Sequence, residues 1–342
     1  MGMSAELTTM LSASVGIGGA PFGNLFQAGS DDAAVATVRH ALASGVRYFD
    51  TAPHYGNGLS EHRYGAALRD VPRDTYVLST KVGRLLRPDP SASRDQNGYV
   101  AGLPFVQRFD YSHDGALRSL DDSLQRLGLA RVDMAYVHDI DVATHGANHP
   151  ARFHQAMNGA IPALARLKAE GVLGGYGIGV NDVQSCVDTL AATDIDVILL
   201  AGRYTLADQS GVLALSECRR RKIAVVAGGP FNSGILATGS RPRDGTLPYF
   251  NYLPAPAHVI GRVAQIESAC AEFAVPLQAA ALQFPAAHPA VVNVLVGARS
   301  VAELDANLAH ARFPIPSEFW QTLRERELID CAAPIPGEPI DA

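Results

Sequence analysis

The chain has 342 residues, is 47% hydrophobic and 18% charged, and carries a formal net charge of −6. This length suits two domains or one large α/β barrel, while an acidic balance without a long Lys/Arg run argues against nucleic-acid binding. No apolar run approaches the roughly 18 residues that cross a bilayer, so no membrane partner is expected. The first ten residues show no basic start and no long apolar core, and Cys186, Cys218, Cys270 and Cys331 lie far apart. Both features predict reduced thiols in a cytoplasmic protein.

Short apolar runs alternate with amphipathic stretches along the whole chain. Residues 15–19 form a short run ending in glycines. Asp31 and Asp32 offer an N-cap for a helix over 33–43, closed by Gly45. Residues 47–50 read as a strand, 60–68 as a helix and 76–81 as a strand. Leu117, Leu120, Leu124 and Leu127 recur at helical spacing up to Gly128, before a strand over 132–138. Ile161, Leu164 and Leu167 mark a helix ending at Gly171. A glycine-rich strand over 175–180 and a helix over 183–190, opened by Asn181 or Asp182, follow. Strands over 196–200 and 223–227 flank a helix over 212–218. Helices over 260–273 and 278–287, a strand over 291–296, and helices over 301–309 and 318–328 complete the series.

About eight strand–helix units call for a parallel sheet covered by helices, and eight without a break favour a closed (β/α)₈ TIM barrel. The reading is therefore an α/β fold with a single barrel domain over 1–342. Long loops at about 83–111 and 231–256 and a tail at 332–342 are the expected insertions, placed at the C-terminal face where barrel loops carry function. The 32 glycines exceed the ordinary share of about 7%. Many of them fall at predicted strand ends and would outline the barrel mouth.

Polar residues stand at the ends of consecutive predicted strands: Asp50, Lys81 and His138, with Tyr55 five residues past Asp50. In a barrel these ends converge. Tyr, Lys, Asp and His together suit acid–base chemistry on an alcohol or carbonyl. A nearby ammonium favours a tyrosine phenolate, a carboxylate fixes the ammonium, and a histidine orients the substrate oxygen or relays a proton. Singly, each has a plainer reading: Asp50 as a loop residue, Tyr55 as a structural aromatic, Lys81 as a solvated strand end, His138 as a satisfied buried imidazole. Because no side chain accepts a hydride, a redox reading requires a cofactor.

Residues 49–56 (Phe-Asp-Thr-Ala-Pro-His-Tyr-Gly), Ser60-Glu61, Gly65 through Leu68, Ser79-Thr80-Lys81 and the strand ending in His138 resemble the ordered motifs of the aldo-keto reductase superfamily. The resemblance runs from about Val15 to about Leu328. It implies a barrel, a catalytic tetrad of Asp50, Tyr55, Lys81 and His138, and substrate contacts from His54, Tyr55 and His138. It also implies an extended nicotinamide cofactor without a Rossmann domain. The glycine run at 16–20 accordingly lacks the third glycine and the following helix of a dinucleotide fingerprint. The implied cofactor residues are Gly19, Asn181 at the carboxamide, Phe231, Asn232, Ser233 and Gly234 in a pyrophosphate loop, and Gly297, Ala298, Arg299, Glu303 and Asn307 at the adenosine end.

Three positions depart from the common pattern. Arg203 stands where the family often has Gln. Gly228-Gly229 offers no ring to stack on nicotinamide, leaving Phe231 as a partial substitute. Glu303 replaces the base that meets the 2′-phosphate, so NAD is expected in preference to NADP. Within the superfamily the chain is similar to the branch of D-threo-aldose (L-fucose) 1-dehydrogenases and pyridoxal 4-dehydrogenase. That implies oxidation of a cyclic hemiacetal hydroxyl of a small aldose or pyridoxal-type substrate to a lactone, with Tyr55 as base. Three rivals stand beside it: a metal-dependent hydrolase using His138, Asp139, Asp141, His145 and His149, a cofactor-sensing regulatory subunit, and an NADPH-dependent aldehyde reductase. No metal is expected, and oligomeric state is not legible.

Overall fold

Alternation with period two builds the wall of this molecule, whose computed structural model describes residues 2–12, 15–243 and 245–338. The strands are β1 (Gly16–Gly18), β2 (Tyr48–Asp50), β3 (Val77–Val82), β4 (Met134–His138), β5 (Gly175–Val180), β6 (Val197–Ala201), β7 (Ala224–Gly228) and β8 (Val291–Gly297). All eight are parallel and neighbour one another in chain order, and β8 pairs back onto β1 to close the barrel. Along β4, Ala135 and Val137 face the helices, while Met134 and Tyr136 face the axis. The connecting helices bury their apolar stripes against the outer face. This is the (β/α)₈ architecture anticipated from the alternation, and the strand positions agree to within two residues.

The axis is filled from below. Helix Ala5–Ser12 lies across the N-terminal end of the barrel, and its Leu7 and Leu11 join Tyr48, Met134, Tyr136 and Leu295 in a buried inner cluster. Asn293 ties this helix to the wall: its amide donates to the Leu11 carbonyl at 2.6 Å and its oxygen accepts the Gly16 N–H at 3.0 Å. Each buried leucine contributes about 1.5–3 kcal/mol to that closure. Part of the glycine excess is spent here rather than at the mouth. A Cβ on Gly16 would come within 2.6 Å of the Tyr48 ring; Gly179 is a mouth glycine, where a Cβ would come within 3.2 Å of the Lys81 stem.

Several local expectations are corrected. Ser30, not Asp31 or Asp32, caps helix Asp31–Ala43, accepting the Ala33 N–H at 3.2 Å; the aspartates occupy the first turn, where they face the positive helix end. Of the two candidates before helix Val183–Ala192, Asp182 is the cap. The segment 83–111 is more than a loop: Arg84–Pro88 pairs antiparallel with Phe105–Phe109. The segment 231–256 holds a short helix, Ile235–Thr238, and a small hairpin of Tyr249–Phe250 with Leu253–Pro254. Residues 142–160 are helical too, through Val142–His145, His149–Gln155 and a π-helical turn, Ala156–Ala160, that leads into Ile161–Ala169. The expected tail is described as far as Glu338, and 339–342 lie outside the described residues.

Candidate active site

Parallel register decides which side chains meet at the mouth. Asp50 lies level with Ser79, Lys81 with Tyr136, and His138 with Gly179. Lys81 therefore rises along the axis beneath the loop that follows β2. Its ammonium donates to Asp50 Oδ2 at 2.5 Å, to the Thr51 carbonyl at 3.0 Å and to the Tyr55 hydroxyl at 3.0 Å. Both members of the ion pair are 1% exposed. The His138 ring stands edge-on to Tyr55, with centroids 6.0 Å apart. The four residues expected to act together are thus brought to one point.

Glycine shapes the loop that carries Tyr55. Gly56 takes a φ of +65°, and a Cβ there would lie 2.4 Å from the Gly23 carbonyl. This close approach fixes Tyr55 against the β1 loop. Beneath it, the buried Glu61 accepts from Thr80 at 2.8 Å and pairs with Arg126 at 2.5 Å, which pins the following helix, Leu59–Leu68.

Charge and burial set the protonation states. Burial pushes the Tyr55 phenol well above its ordinary range, and the Asp50 carboxylate adds to the effect, with Arg84 opposing it. Tyr55 thus holds its proton firmly, and its phenolate has to be drawn out by nearby positive charge. Burial and then Arg84 lower His54 from 6.5 to about 3 and hold His138 well below its ordinary value. Both imidazoles are neutral at physiological pH. Among the described residues, His138 Nδ1 and Arg84 Nε are buried without a hydrogen-bond partner, which marks two polar atoms for a bound molecule to satisfy.

A second ring of side chains surrounds the tetrad, and sequence reasoning missed it. Arg84 pairs with Asp139 at 2.6 Å, donates to Gln107 at 3.0 Å and lies over the Phe109 ring. Gln107 also bonds His54 Nδ1 at 3.0 Å. Tyr99 stacks on Tyr55 with centroids 5.9 Å apart. Phe26, from the β1 loop, meets Tyr249 and Tyr252 across the mouth. These residues come from the two insertions and the β1 loop. The one available signal was the aromatic and Arg content of 83–111 and 231–256.

The expected cofactor residues fall into two groups. Asn181, Arg203, Asn232 and Ser233 line a cavity of about 370 Å³ together with Gly229, Asn251 and Tyr252. Arg203 bonds Asn251 at 2.7 Å and Asp208 at 3.2 Å. Asn232 donates to the Gly202 carbonyl at 2.9 Å. Gly229, Asn232, Ser233 and Gly234 take left-handed angles (φ 60°, 45°, 60° and 116°), a type of backbone run that forms anion-binding concavities. Phe231 packs against the main hydrophobic core instead of lining this cavity; the ring found there is Tyr252. Arg299 and Glu303 line a second cavity of about 360 Å³ beside the β1 loop. They are paired, Glu303 accepting the Arg299 N–H at 2.8 Å and its guanidinium at 3.0 Å. Ala298 is buried, and Asn307 holds the Gly297 carbonyl at 3.2 Å. Gly19 donates to the Asp50 carbonyl at 2.7 Å, so it borders the tetrad directly. These residues fit a nicotinamide dinucleotide: left-handed backbone for phosphate, amides for a carboxamide, and a capped helix, Val301–Ala311, at the far end.

The residues of the metal-site rival are otherwise engaged. Asp139 pairs with Arg84, Asp141 caps the helix Val142–His145, His145 bonds the Tyr111 hydroxyl at 3.0 Å, and the His149 ring faces Phe153. Among the described residues no group of three or more His, Cys, Asp or Glu is placed to hold a metal ion.

Comparison with known proteins gives a consistent result. The sequence profile of the Aldo/keto reductase family matches residues 14–327. The chain is 43% identical over 333 residues to a pyridoxal 4-dehydrogenase of Microbacterium luteolum, covering 94% of this chain and 96% of that one. It is 39% identical over 322 residues to a D-threo-aldose 1-dehydrogenase of a Pseudomonas species, covering 92% and 94%. Among solved structures, an aldo-keto reductase from Bacillus halodurans in its holo form superposes with a TM-score of 0.70 at 23% identity, covering 96% and 97%. A glycerol dehydrogenase from Gluconobacter oxydans also scores 0.70, at 19% identity, covering 97% and 99%. At those identities the structural matches speak for the fold.

Proposed function

The chain belongs to the aldo/keto reductase family and is an oxidoreductase, and on that premise we propose that it oxidises the hemiacetal C1 hydroxyl of a small aldose of the L-fucose or D-threo type to a lactone. The observation that carries this reading is the placement of the Lys81 ammonium between Asp50 and the Tyr55 hydroxyl, with the unpartnered His138 Nδ1 close by. Bound nicotinamide supplies the hydride-accepting ring that no side chain provides. Tyr55 takes the hydroxyl proton, Lys81 stabilises the phenolate that accepts it, and Asp50 holds Lys81 in place. His138, neutral, positions the substrate oxygen as a hydrogen-bonding partner. His54, bonded to Gln107, forms the adjoining wall of the substrate site.

The cofactor residues are those lining the two cavities. NAD is the preferred form in this reading, because the family resemblance assigns Glu303 to the 2′-phosphate end and a carboxylate lining that cavity would repel the phosphate. The Arg299 guanidinium beside it tempers that repulsion, so the preference is graded. The whole barrel acts as one domain, and a cytoplasmic setting is proposed with it. Among the described residues no helix is long and apolar enough to cross a membrane.

Pyridoxal is the second reading. It is favoured by the 43% identity to a pyridoxal 4-dehydrogenase and by the aromatic mouth of Tyr99, Tyr252 and Phe26, on which a flat ring can stack. A lactone, 4-pyridoxolactone, would again be the product. Turnover of L-fucose, D-arabinose, L-galactose and pyridoxal, each with NAD and with NADP, separates these readings. Activity on an aldose with NAD supports the first, and activity confined to pyridoxal supports the second. Reduction of simple aldehydes with NADPH alone, or tight cofactor binding without turnover of any of the four, would remove both.

A further inference from the structure

Below the tetrad, on the axis of the barrel, three hydroxyl groups continue the line of hydrogen bonds downward. Asp50 uses Oδ2 for Lys81 and Oδ1 for Ser79, whose hydroxyl lies 2.6 Å away. Ser79 Oγ lies 2.9 Å from the Tyr48 hydroxyl, and Tyr48 lies 3.0 Å from the Tyr136 hydroxyl. Ser79 and Tyr136 are fully buried and Tyr48 is 1% exposed. We propose that Ser79, Tyr48 and Tyr136 form a one-way chain of hydroxyls that holds Asp50 as the carboxylate partner of Lys81, and so act as positioning residues for the proton transfer at Tyr55.

Proton counting fixes the direction of this chain. A carboxylate has no proton to give, so Ser79 spends its only one on Asp50. Ser79 must then accept from Tyr48, which leaves Tyr48 to accept from Tyr136. Tyr136 also interacts with Ser79, which as an acceptor keeps the same direction towards Asp50, and with Met134 Sδ at 3.9 Å, a weak acceptor. All three O–H dipoles therefore point up the axis at Asp50, and aligned bonds of this kind reinforce one another in a low-dielectric interior. The floor helix Ala5–Ser12 and its leucines seal the lower end. The chain ends in apolar surroundings and carries no proton to or from solvent; its effect is to favour the charged form of Asp50.

That effect matters because the pair is buried. Burial raises the Asp50 carboxyl above its ordinary value, and Lys81 and then Ser79 oppose that rise without cancelling it. Without the hydroxyls, transfer of one proton from Lys81 to Asp50 would leave a neutral pair, and the charge that draws Tyr55 towards phenolate would be gone. The other titratable or charged groups around Tyr55 are His54 on its own loop, Tyr64 on helix Leu59–Leu68, Asp139 and His138 at the end of β4, Arg84 and Tyr99 from the first insertion, and Tyr252 from the second. None of them touches the hydroxyl chain, which makes its contribution separable.

The inference rests on Tyr55 being the acid–base group, and one set of variants tests the two claims apart. The isosteric Tyr48→Phe removes one oxygen and keeps the ring. With the full chain and NAD, the alkaline rise of kcat for oxidation is expected to move upward by about one pH unit, with KM little changed. Ser79→Ala should move it further and Tyr136→Phe less, in the order of distance from Asp50. Thermal melting of each variant reports packing independently, and if Tyr48→Phe does not fold, Ser79→Ala carries the same test. Folded variants whose pH profiles superimpose on the parent, or a larger shift from Tyr136→Phe than from Ser79→Ala, overturn the proposal. If Tyr55→Phe retains full activity, the acid–base assignment itself fails; if it is inactive while the profiles do not move, only the hydroxyl chain fails.

Discussion

The two halves of the barrel wall do opposite things. Strands β2 to β4 send long polar side chains to the axis: Asp50, Ser79, Lys81, Tyr136 and His138. Towards the mouth, strands β5 to β8 withhold them, with small residues at or near their ends such as Gly179, Ala201, Gly228 and Gly297. One half supplies reacting groups, and the other supplies room and backbone. The difference explains how a chain rich in glycine can hold a lysine 1% exposed: Gly179 on β5 leaves room for its stem. On the proposed function it also separates the roles, with the chemistry assigned to the half with side chains and the cofactor to the half without.

The sharpest way to break this comparison is to silence the reactive half. Tyr55→Phe should lower kcat by about 10²–10⁴-fold while NAD binding, followed by fluorescence quenching, stays nearly unchanged. A comparable loss of cofactor affinity would show that the division of labour is drawn in the wrong place. The empty half is tested next by adding one methyl group. In Gly179→Ala the new Cβ lies 3.2 Å from Lys81 Cε, and three hydrogen bonds leave that stem no easy way to yield. A fall in kcat of about tenfold is expected, with melting temperature little altered. An unaffected kcat would mean that the glycine is not there for Lys81.

Smaller effects refine the picture. Glu303→Arg should shift the ratio of kcat/KM for NAD over NADP by about fivefold towards NADP, because it removes a carboxylate from the phosphate's path. A ratio that does not move would detach Glu303 from cofactor choice. The smallest effect concerns acid stability. His54 falls to about 3 in the folded chain from an ordinary 6.5. Between those values the unfolded chain binds a proton that the folded chain refuses, so stability declines as pH drops through this window. His138 acts in the same direction. Urea titrations of His54→Gln should show a shallower decline over that range than the parent, and an equal slope would refute the assignment.

The comparison also shows what could be read from the chain beforehand. Strands were legible because apolar runs alternate with amphipathic helices at regular spacing. Asp50, Lys81 and His138 were legible because they stand at the ends of consecutive strands, which a barrel brings together whatever their separation in sequence, and Tyr55 through the family motif that carries it. The cap of helix Asp31–Ala43 was misplaced because Ser30, Asp31 and Asp32 are all good N-cap residues, and only geometry chooses among them. The helices at 142–160 were missed because Gly146 and Pro150 interrupt the pattern. Arg84, Tyr99, Gln107 and Tyr252 were invisible as site residues because insertions fold by long-range contacts that leave no local period. The hydroxyl chain was hidden for another reason. Tyr48, Ser79 and Tyr136 look like ordinary strand residues until parallel register stacks them on one axis.

The sealed floor turns that axis into a timepiece. The hydroxyl protons of Tyr48 and Tyr136 have no path to water while helix Ala5–Ser12 stays docked. Their exchange with deuterium must wait for that helix to lift or for the wall to open. The interval before exchange therefore measures how often the bottom of the barrel breathes, in a molecule whose proposed chemistry lies at the other end.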